Sequence, residues 1–493
     1  MRRLASDTLI YGLGSVANQA LAFLLLPLYT RYLTPADYGT LALIGAGGSI
    51  LSLVAAVGIH SGLTRVYFDY ESEDERAVVV FTGLAFGLVA ASVVAAPLLL
   101  LSGRLAPLLL ENVPQAAVYW NLAVILYSLA ALNSISLAIL QIHQRARAYV
   151  TCSLLGLIGS LLVSIDLVAV SGRGIRGVLE GQLFGVVVQL SLGFLASLPR
   201  LRAAWRGRPL REMLLFAVPL LPTNLAAWGL GLADRWFLQR FASLTEVGLY
   251  SLGYRFGSAF ETLFVRPFSL AWAPYLFSIL DDPGHRQVCA RVLEYYTVIG
   301  GFLVLGLGLF GGDVIRVISD PSFFAADRVI FWIGLGCLLR GSTFITVAGI
   351  HVRKKTHCSA YAYGAGVVLN LALVWLWIPR YGMMGAAFAM VTTFGAISLA
   401  LAGMAQRLHP IPYRPRRIVA VLALMTALYG LGRLVSGASL FVQLPAKLAC
   451  VSAFPLLLVA VGFFEPSELA RARAFASRLI SGAAERREGG GAP

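Results

Sequence analysis

Arginines set inside apolar runs are the residues of this 493-residue sequence most able to do chemistry. A charge at membrane depth is costly, so it normally faces a partner or a water-filled path. Arg340 stands twelve residues into one such run, too deep for easy snorkelling. Arg255 and Arg266 stand eleven residues apart in another. Three helical turns separate them, so an unbroken helix would put both on one face, with Ser258 and Thr262 between them. Glu261 lies about 240° around from Arg255 at 100° per residue, where it either neutralises an arginine on a neighbouring helix or carries a proton. Asn18, Asn133, Asn224 and Asn370 also fall near the middle of apolar runs. Interhelical hydrogen bonding is their usual use, and cavity lining is the alternative. Guanidinium groups pair with phosphate in bidentate geometry, so a wall of this kind suits an anionic substrate such as a phosphate ester.

Catalytic constellations are missing. The sequence has no Walker A lysine motif, no H-E-x-x-H and no G-x-S-x-G. The expectation is a protein that is not an enzyme and holds no cofactor, driven by an H+ or Na+ gradient or by the membrane potential. Cys152, Cys289, Cys337, Cys358 and Cys450 are scattered without metal-site or disulfide spacing and read as small apolar residues. Net charge is +15, carried by 36 Arg and 3 Lys. These charges lie between apolar runs rather than on one face, which argues against nucleic acid.

The elements that must position those groups are membrane helices. The chain is 58% hydrophobic and only 13% charged, with a mean hydropathy of +0.78, whereas a soluble domain carries about 25% charged residues. Crossing the hydrocarbon takes roughly 20 apolar residues. Fourteen runs qualify, near 8–30, 40–60, 77–101, 117–140, 149–170, 177–198, 212–233, 247–273, 290–311, 329–350, 358–378, 383–404, 418–435 and 441–464. Inner segments hold 25 basic residues and outer loops 10 if both termini are cytoplasmic, as the positive-inside rule requires, and the other four, Arg255, Arg266, Arg340 and Lys447, fall within spans. The basic inner loops would fix topology and meet anionic headgroups, or capture substrate at the inner mouth. Asp166 and Glu180, near Arg173 and Arg176, read as an outer-surface ion network. Proline interrupts the runs at Pro27, Pro219, Pro222, Pro267 and Pro274, which allows bending. The tail from Pro466 to Leu479 reads either as an amphipathic surface helix or as a solvated stub.

A repeat organises these runs. Arg31, Asp37 and Gly39 recur as Arg240, Glu246 and Gly248, offset by 209. Ile142-His143-Gln-Arg145 recurs as Ile350-His351-Val-Arg353, and Gly174-Ile-Arg-Gly177 as Gly382-Met-Met-Gly385, both offset by 208. Each half holds six spans, an even number, so the halves run parallel about an axis along the membrane normal. The fold expected is an all-α polytopic membrane protein of about 14 transmembrane helices: two parallel six-helix repeats around a central cavity, with two extra C-terminal helices. Domain limits follow as 1–205, 206–410, 411–465 for the appended pair and 466–493 for the tail. The glycines read as close-packed corners, and the acid two residues before each as a helix cap.

Four segments carry a family resemblance: Leu4-Ala-Ser-Asp7 through Gly12, Tyr29-Thr-Arg31 through Gly39, Gly62-Leu-Thr-Arg65 through Tyr70, and Arg266-Pro267 through Pro274. Together they resemble the O-antigen and exopolysaccharide flippases of the multidrug/oligosaccharidyl-lipid/polysaccharide exporter superfamily. The resemblance implies flipping of a polyprenyl-pyrophosphate-linked oligosaccharide from the cytoplasmic to the periplasmic leaflet of a bacterial inner membrane. It also implies a cationic cavity, with Arg65, Arg255, Arg266 and Arg340 holding pyrophosphate and sugar while the prenyl tail stays in lipid. Partners would be the lipid-linked oligosaccharide, membrane lipids, a polysaccharide polymerase and glycosyltransferases. Rival readings are a peptidoglycan-precursor (lipid II) flippase, against which the lack of an arginine in the first span argues, and a multidrug cation antiporter, against which the excess of buried arginine over acid argues. A non-transporting enzyme or scaffold such as a polymerase would usually carry a large outer loop, and no loop here reaches twenty residues.

Overall fold

A computed structural model describes residues 2–111, 113–198, 203–353, 355, 357–435 and 439–464. The amphipathic segment expected at 466–479 lies outside them. The described residues are predominantly helical, with no strand among them. Twelve helices are individually long and apolar enough to cross a membrane. Of the other two expected spans, the first is the 31-residue helix Arg2–Tyr32, which runs through Pro27 without a break. The other, near 247–273, is broken. Helix Leu244–Gly257 ends before a turn at Ser258, a π-helical segment follows at Glu261–Val265, and a new helix runs over Arg266–Ser278.

The chain packs as two compact units, of which the first draws on both sequence halves and the second on the later half alone. One comprises residues 1–255, 312–329 and 363–393; the other 256–311, 330–362 and 394–493. The lobes expected at 1–205 and 206–410 divide the chain by repeat, whereas these units divide it by packing.

In the first unit the repeat becomes contact. Thr34 caps helix Pro35–Ala56 in a full capping box: the Asp37 N–H donates to Thr34 Oγ1 at 3.2 Å, and the Thr34 N–H donates to Asp37 Oδ2 at 3.0 Å. In the second half Ser243 takes the place of Thr34 and accepts the Glu246 N–H at 3.2 Å. The Glu246 carboxylate, however, leaves the box and accepts the N–H of Met383 at 2.6 Å, capping the start of a different helix, Met383–Leu408. The glycines that follow face each other. A Cβ on Gly39 would strike the carbonyl oxygen of Leu244, and a Cβ on Gly248 would strike that of Pro35. Both clashes are with backbone, so only glycine permits the approach. Gly174 and Gly382, also repeat mates, share a φ of +54°, a left-handed value that costs a residue with a Cβ.

Elsewhere in this unit, Ile59, Leu63, Val79, Ile135, Ile139 and Met213 form a closed apolar core. The expected seventh span is divided by Pro219 into Gly207–Ala217, a 3-10 turn at Val218–Leu220 and Leu221–Leu232. Its repeat mate Arg2–Tyr32 stays whole.

The second unit is centred on helix His285–Ile318 up to residue 311 and helix Asp327–Thr346 beyond residue 329. The C-terminal pair, Pro415–Leu434 and Leu440–Ala460, belongs to this unit. Tyr429 stacks flat on Phe331 with ring centroids 3.9 Å apart. Glu294, buried, receives Arg417 at 3.3 Å and Arg414 at 3.9 Å.

Candidate functional site

The break after Gly257 has a sequence cause. Pro267 has no N–H to give to the carbonyl one turn back, and the Arg266 N–H bonds to Glu261 O five residues earlier. In a π turn five residues complete about one revolution, whereas an α-helix would carry Arg266 well past Glu261. The two side chains therefore meet, with Arg266 Nε 3.9 Å from Glu261 Oε1. The same break removes the unbroken helix on which a shared face for Arg255 and Arg266 was expected. Arg255 ends the first unit, where its guanidinium stands 5.9 Å above the ring of Phe23.

Arg340 completes the cluster. Its Nη2 donates to Glu261 Oε1 at 2.5 Å, and its guanidinium lies 5.9 Å from the centre of the Phe394 ring. Cys337, fully buried one turn earlier, places its Sγ 4.0 Å from the other carboxylate oxygen. Glu261 is thus neutralised by an arginine from another helix, one of the two roles considered for it. The side chain of Glu261 is 10% exposed, whereas Arg340 is 36% and Arg266 70% exposed. Two guanidinium groups share one carboxylate, so positive charge is in excess, and the excess lies on the accessible side. No group of three or more His, Cys, Asp or Glu among the described residues could hold a metal ion.

The other sequence candidates lie in the first unit. Arg65, exposed near the end of the short helix Ile59–Val66, pairs at 2.5 Å with Asp69 in the 3-10 turn Tyr67–Asp69 that follows. Asn18 donates to its own helix at Gly14 O, 3.0 Å away, and lines a mostly apolar cleft of about 330 Å³ whose polar side chains include Ser153, Ser160, Gln182 and Gln189. Asn133 donates to Gln189 Oε1 at 2.6 Å, and Asn370 to Thr393 Oγ1 at 3.1 Å, both interhelical bonds. Asn224 is exposed. Glu180 joins Arg173 at 3.0 Å and Arg176 at 2.7 Å, while Asp166, exposed, is not part of that network.

The charged cluster around Glu294 escaped the sequence reading, and so did one around Asp234. Asp234 receives Arg235 at 3.1 Å and the hydroxyl of Tyr250, and the Arg235 guanidinium lies 4.8 Å from the centre of the Tyr254 ring. Asp234 and Arg235 fall where an outer loop was expected, and nothing in their spacing marks them as buried. The tyrosines one helical turn apart were the available hint.

Comparison with solved structures gives the fold. A lipid II flippase MurJ in an inward closed conformation superposes with a TM-score of 0.71 at 13% identity, covering 92% of this chain and 100% of that one. An inward-facing multidrug resistance MATE family transporter of the MOP superfamily gives 0.62 at 12%, covering 82% and 95%. A mutant of the Vibrio cholerae MATE transporter VcmN gives 0.54 at 14%, covering 82% and 96%. No curated protein sequence matches. The chain therefore has the fold of MurJ and MATE transporters. A family model described as polysaccharide biosynthesis protein matches residues 28–319, more than half of the chain, and the protein belongs to that family.

Proposed function

We propose that this protein flips a polyprenyl-pyrophosphate-linked oligosaccharide from the cytoplasmic to the periplasmic leaflet of a bacterial inner membrane by alternating access, for surface polysaccharide synthesis. The observation that carries the reading is the cluster of Arg340 and Arg266 around Glu261, with more cation than anion and its arginines open. A pyrophosphate offers the same oxygens as the Glu261 carboxylate with more charge, and Arg340 can engage it in bidentate fashion. Substrate then competes with Glu261 for Arg340. Glu261, left without its arginine, is the acid of the cluster that would carry a coupled H+. Arg65 and Arg255 are assigned to sugar or phosphate contact by family resemblance.

A lipid II flippase is the second reading, favoured by the superposition on MurJ. The cation-antiporter reading suits a cluster with acid in excess, the reverse of this one. The deciding experiment is a deletion strain. It is expected to accumulate lipid-linked repeat units on the cytoplasmic face and to lose surface polymer, with rescue by the wild-type gene and poor rescue by Arg340→Lys. Normal polymer output rejects the reading, and accumulation of lipid II with cell-wall arrest transfers it to the second.

A further inference from the structure

An apolar cavity of about 390 Å³ lies within the first unit, away from the arginine cluster. Its walls come from helix Pro35–Ala56 (Ile44, Gly47, Leu51), helix Glu73–Leu100 (Val94) and helix Ala116–Ile142 (Trp120), with Trp236 closing it from the second sequence half. The size falls in the range of small-ligand pockets, which are about 300–1,000 Å³ and mostly apolar with a few placed polar groups. Three of its walls are candidate membrane spans, so molecules with alkyl chains are the abundant company.

Two polar features at the cavity say more about the occupant. The first is a donor without an acceptor: the Trp236 indole N–H is buried and unpaired, whereas that of Trp120 reaches Leu98 O at 2.9 Å. A buried, unsatisfied N–H is costly, and a ligand oxygen would relieve it. The second is Arg240, one helical turn beyond Trp236 on the same face of helix Asp234–Phe241. Its side chain is 73% exposed, and its link to Glu111, beside the lining residues Leu109 and Leu110, is a loose 3.9 Å. An apolar slot, an orphan donor and then an exposed cation form the negative image of an alkyl chain, an ester and a phosphate.

We infer that this cavity holds one acyl chain of an anionic phospholipid, with an ester oxygen on the Trp236 N–H and the phosphate on Arg240. The site does not rest on the transport reading. The lipid seals the seam between the Trp236 helix and the first-half helices.

Native mass spectrometry of the purified full chain, delipidated and then titrated separately with phosphatidylglycerol, phosphatidylcholine and undecaprenyl phosphate, tests the inference. One phosphatidylglycerol is expected to bind in preference to phosphatidylcholine. Val54→Trp, made at a half-exposed position on the cavity wall, plugs the slot with little risk to folding and should abolish that adduct, as should Ala123→Phe. Arg240→Gln should weaken phosphatidylglycerol about fivefold, the worth of one basic residue near an anionic headgroup, and leave phosphatidylcholine unchanged. Retention of the adduct in folded Val54→Trp protein overturns the inference, as does equal binding of the two phospholipids. Displacement of phosphatidylglycerol by undecaprenyl phosphate also overturns it and gives the cavity to the tail of a prenyl carrier.

Discussion

Two of the buried carboxylates held by arginine, Asp234 and Glu261, are built to opposite ends. Asp234 in the first unit is matched by one arginine, Arg235, and the pair is shut in: the side chains are 12% and 7% exposed, Tyr250 satisfies the second carboxylate oxygen, and two tyrosine rings flank the guanidinium. Glu261 in the second unit is matched by two arginines, and both remain open. A closed one-to-one pair has no capacity left and can only hold structure. An oversupplied, open pair has a guanidinium ready for an anion that is not part of the chain. Burial and charge alone do not separate these cases; the ratio of cation to anion and the exposure of the cation do.

The contrast makes predictions of decreasing size. Asp234→Asn leaves Arg235 buried without a counter-ion, and removing one partner of a buried pair costs about 3–5 kcal/mol. Thermal melting in detergent should show a large loss, and any transport defect should follow the amount of folded protein. Glu261→Gln should cost less, about 1–2 kcal/mol after allowing for the solvent access of Arg340 and Arg266. It should nevertheless stop transport in protein that is still folded, with anionic substrate binding kept or tightened. If Glu261→Gln proves the more destabilising and Asp234→Asn the more damaging to transport per folded molecule, the distinction collapses.

A neutral interhelical hydrogen bond of the first unit, Asn133 to Gln189, supplies the baseline. Asn133→Leu removes one interhelical hydrogen bond, worth about 0.6 kcal/mol in membrane helices, and should leave polymer export near wild type. The smallest effect is pH-dependent. His409, at the end of helix Met383–Leu408, meets His285 at 2.8 Å between their Nε2 atoms, so one ring must accept and stay neutral. Burial first, then Arg286, His285 and Arg353, hold His409 below the ordinary imidazole range. The unfolded chain therefore takes up the proton at higher pH than the folded one. Stability is full above the unfolded value of about 6.5 and declines as pH falls below it. Melting at pH 7.5 and 5.5 should differ in wild type and differ less in His409→Gln.

Much of this architecture was legible in the sequence, because twenty-residue apolar runs and three collinear motif matches are long-range signals that local packing does not erase. Arg340 was legible for the same reason, since depth in a run is countable. What escaped depended on a single backbone event. The π turn at Glu261–Val265 rephases the helix, and no periodicity computed at 100° per residue foresees it, although Pro267 supplies its cause. The division of labour between Asp37 and Glu246 was equally hidden. Both occupy the same position of the repeat, yet only Asp37 closes its own capping box.

The reciprocal seat of Gly39 against Leu244 and Gly248 against Pro35 has the form of an isologous interface, in which one patch meets its own copy across a two-fold axis. In a homodimer any change there is made twice at once. Joined in one polypeptide, each side changes alone, so the glycines stay locked by their shared clash while the acids beside them are released to diverge. The corner thus keeps the imprint of a symmetric pair, with Glu246 marking where the two copies parted company.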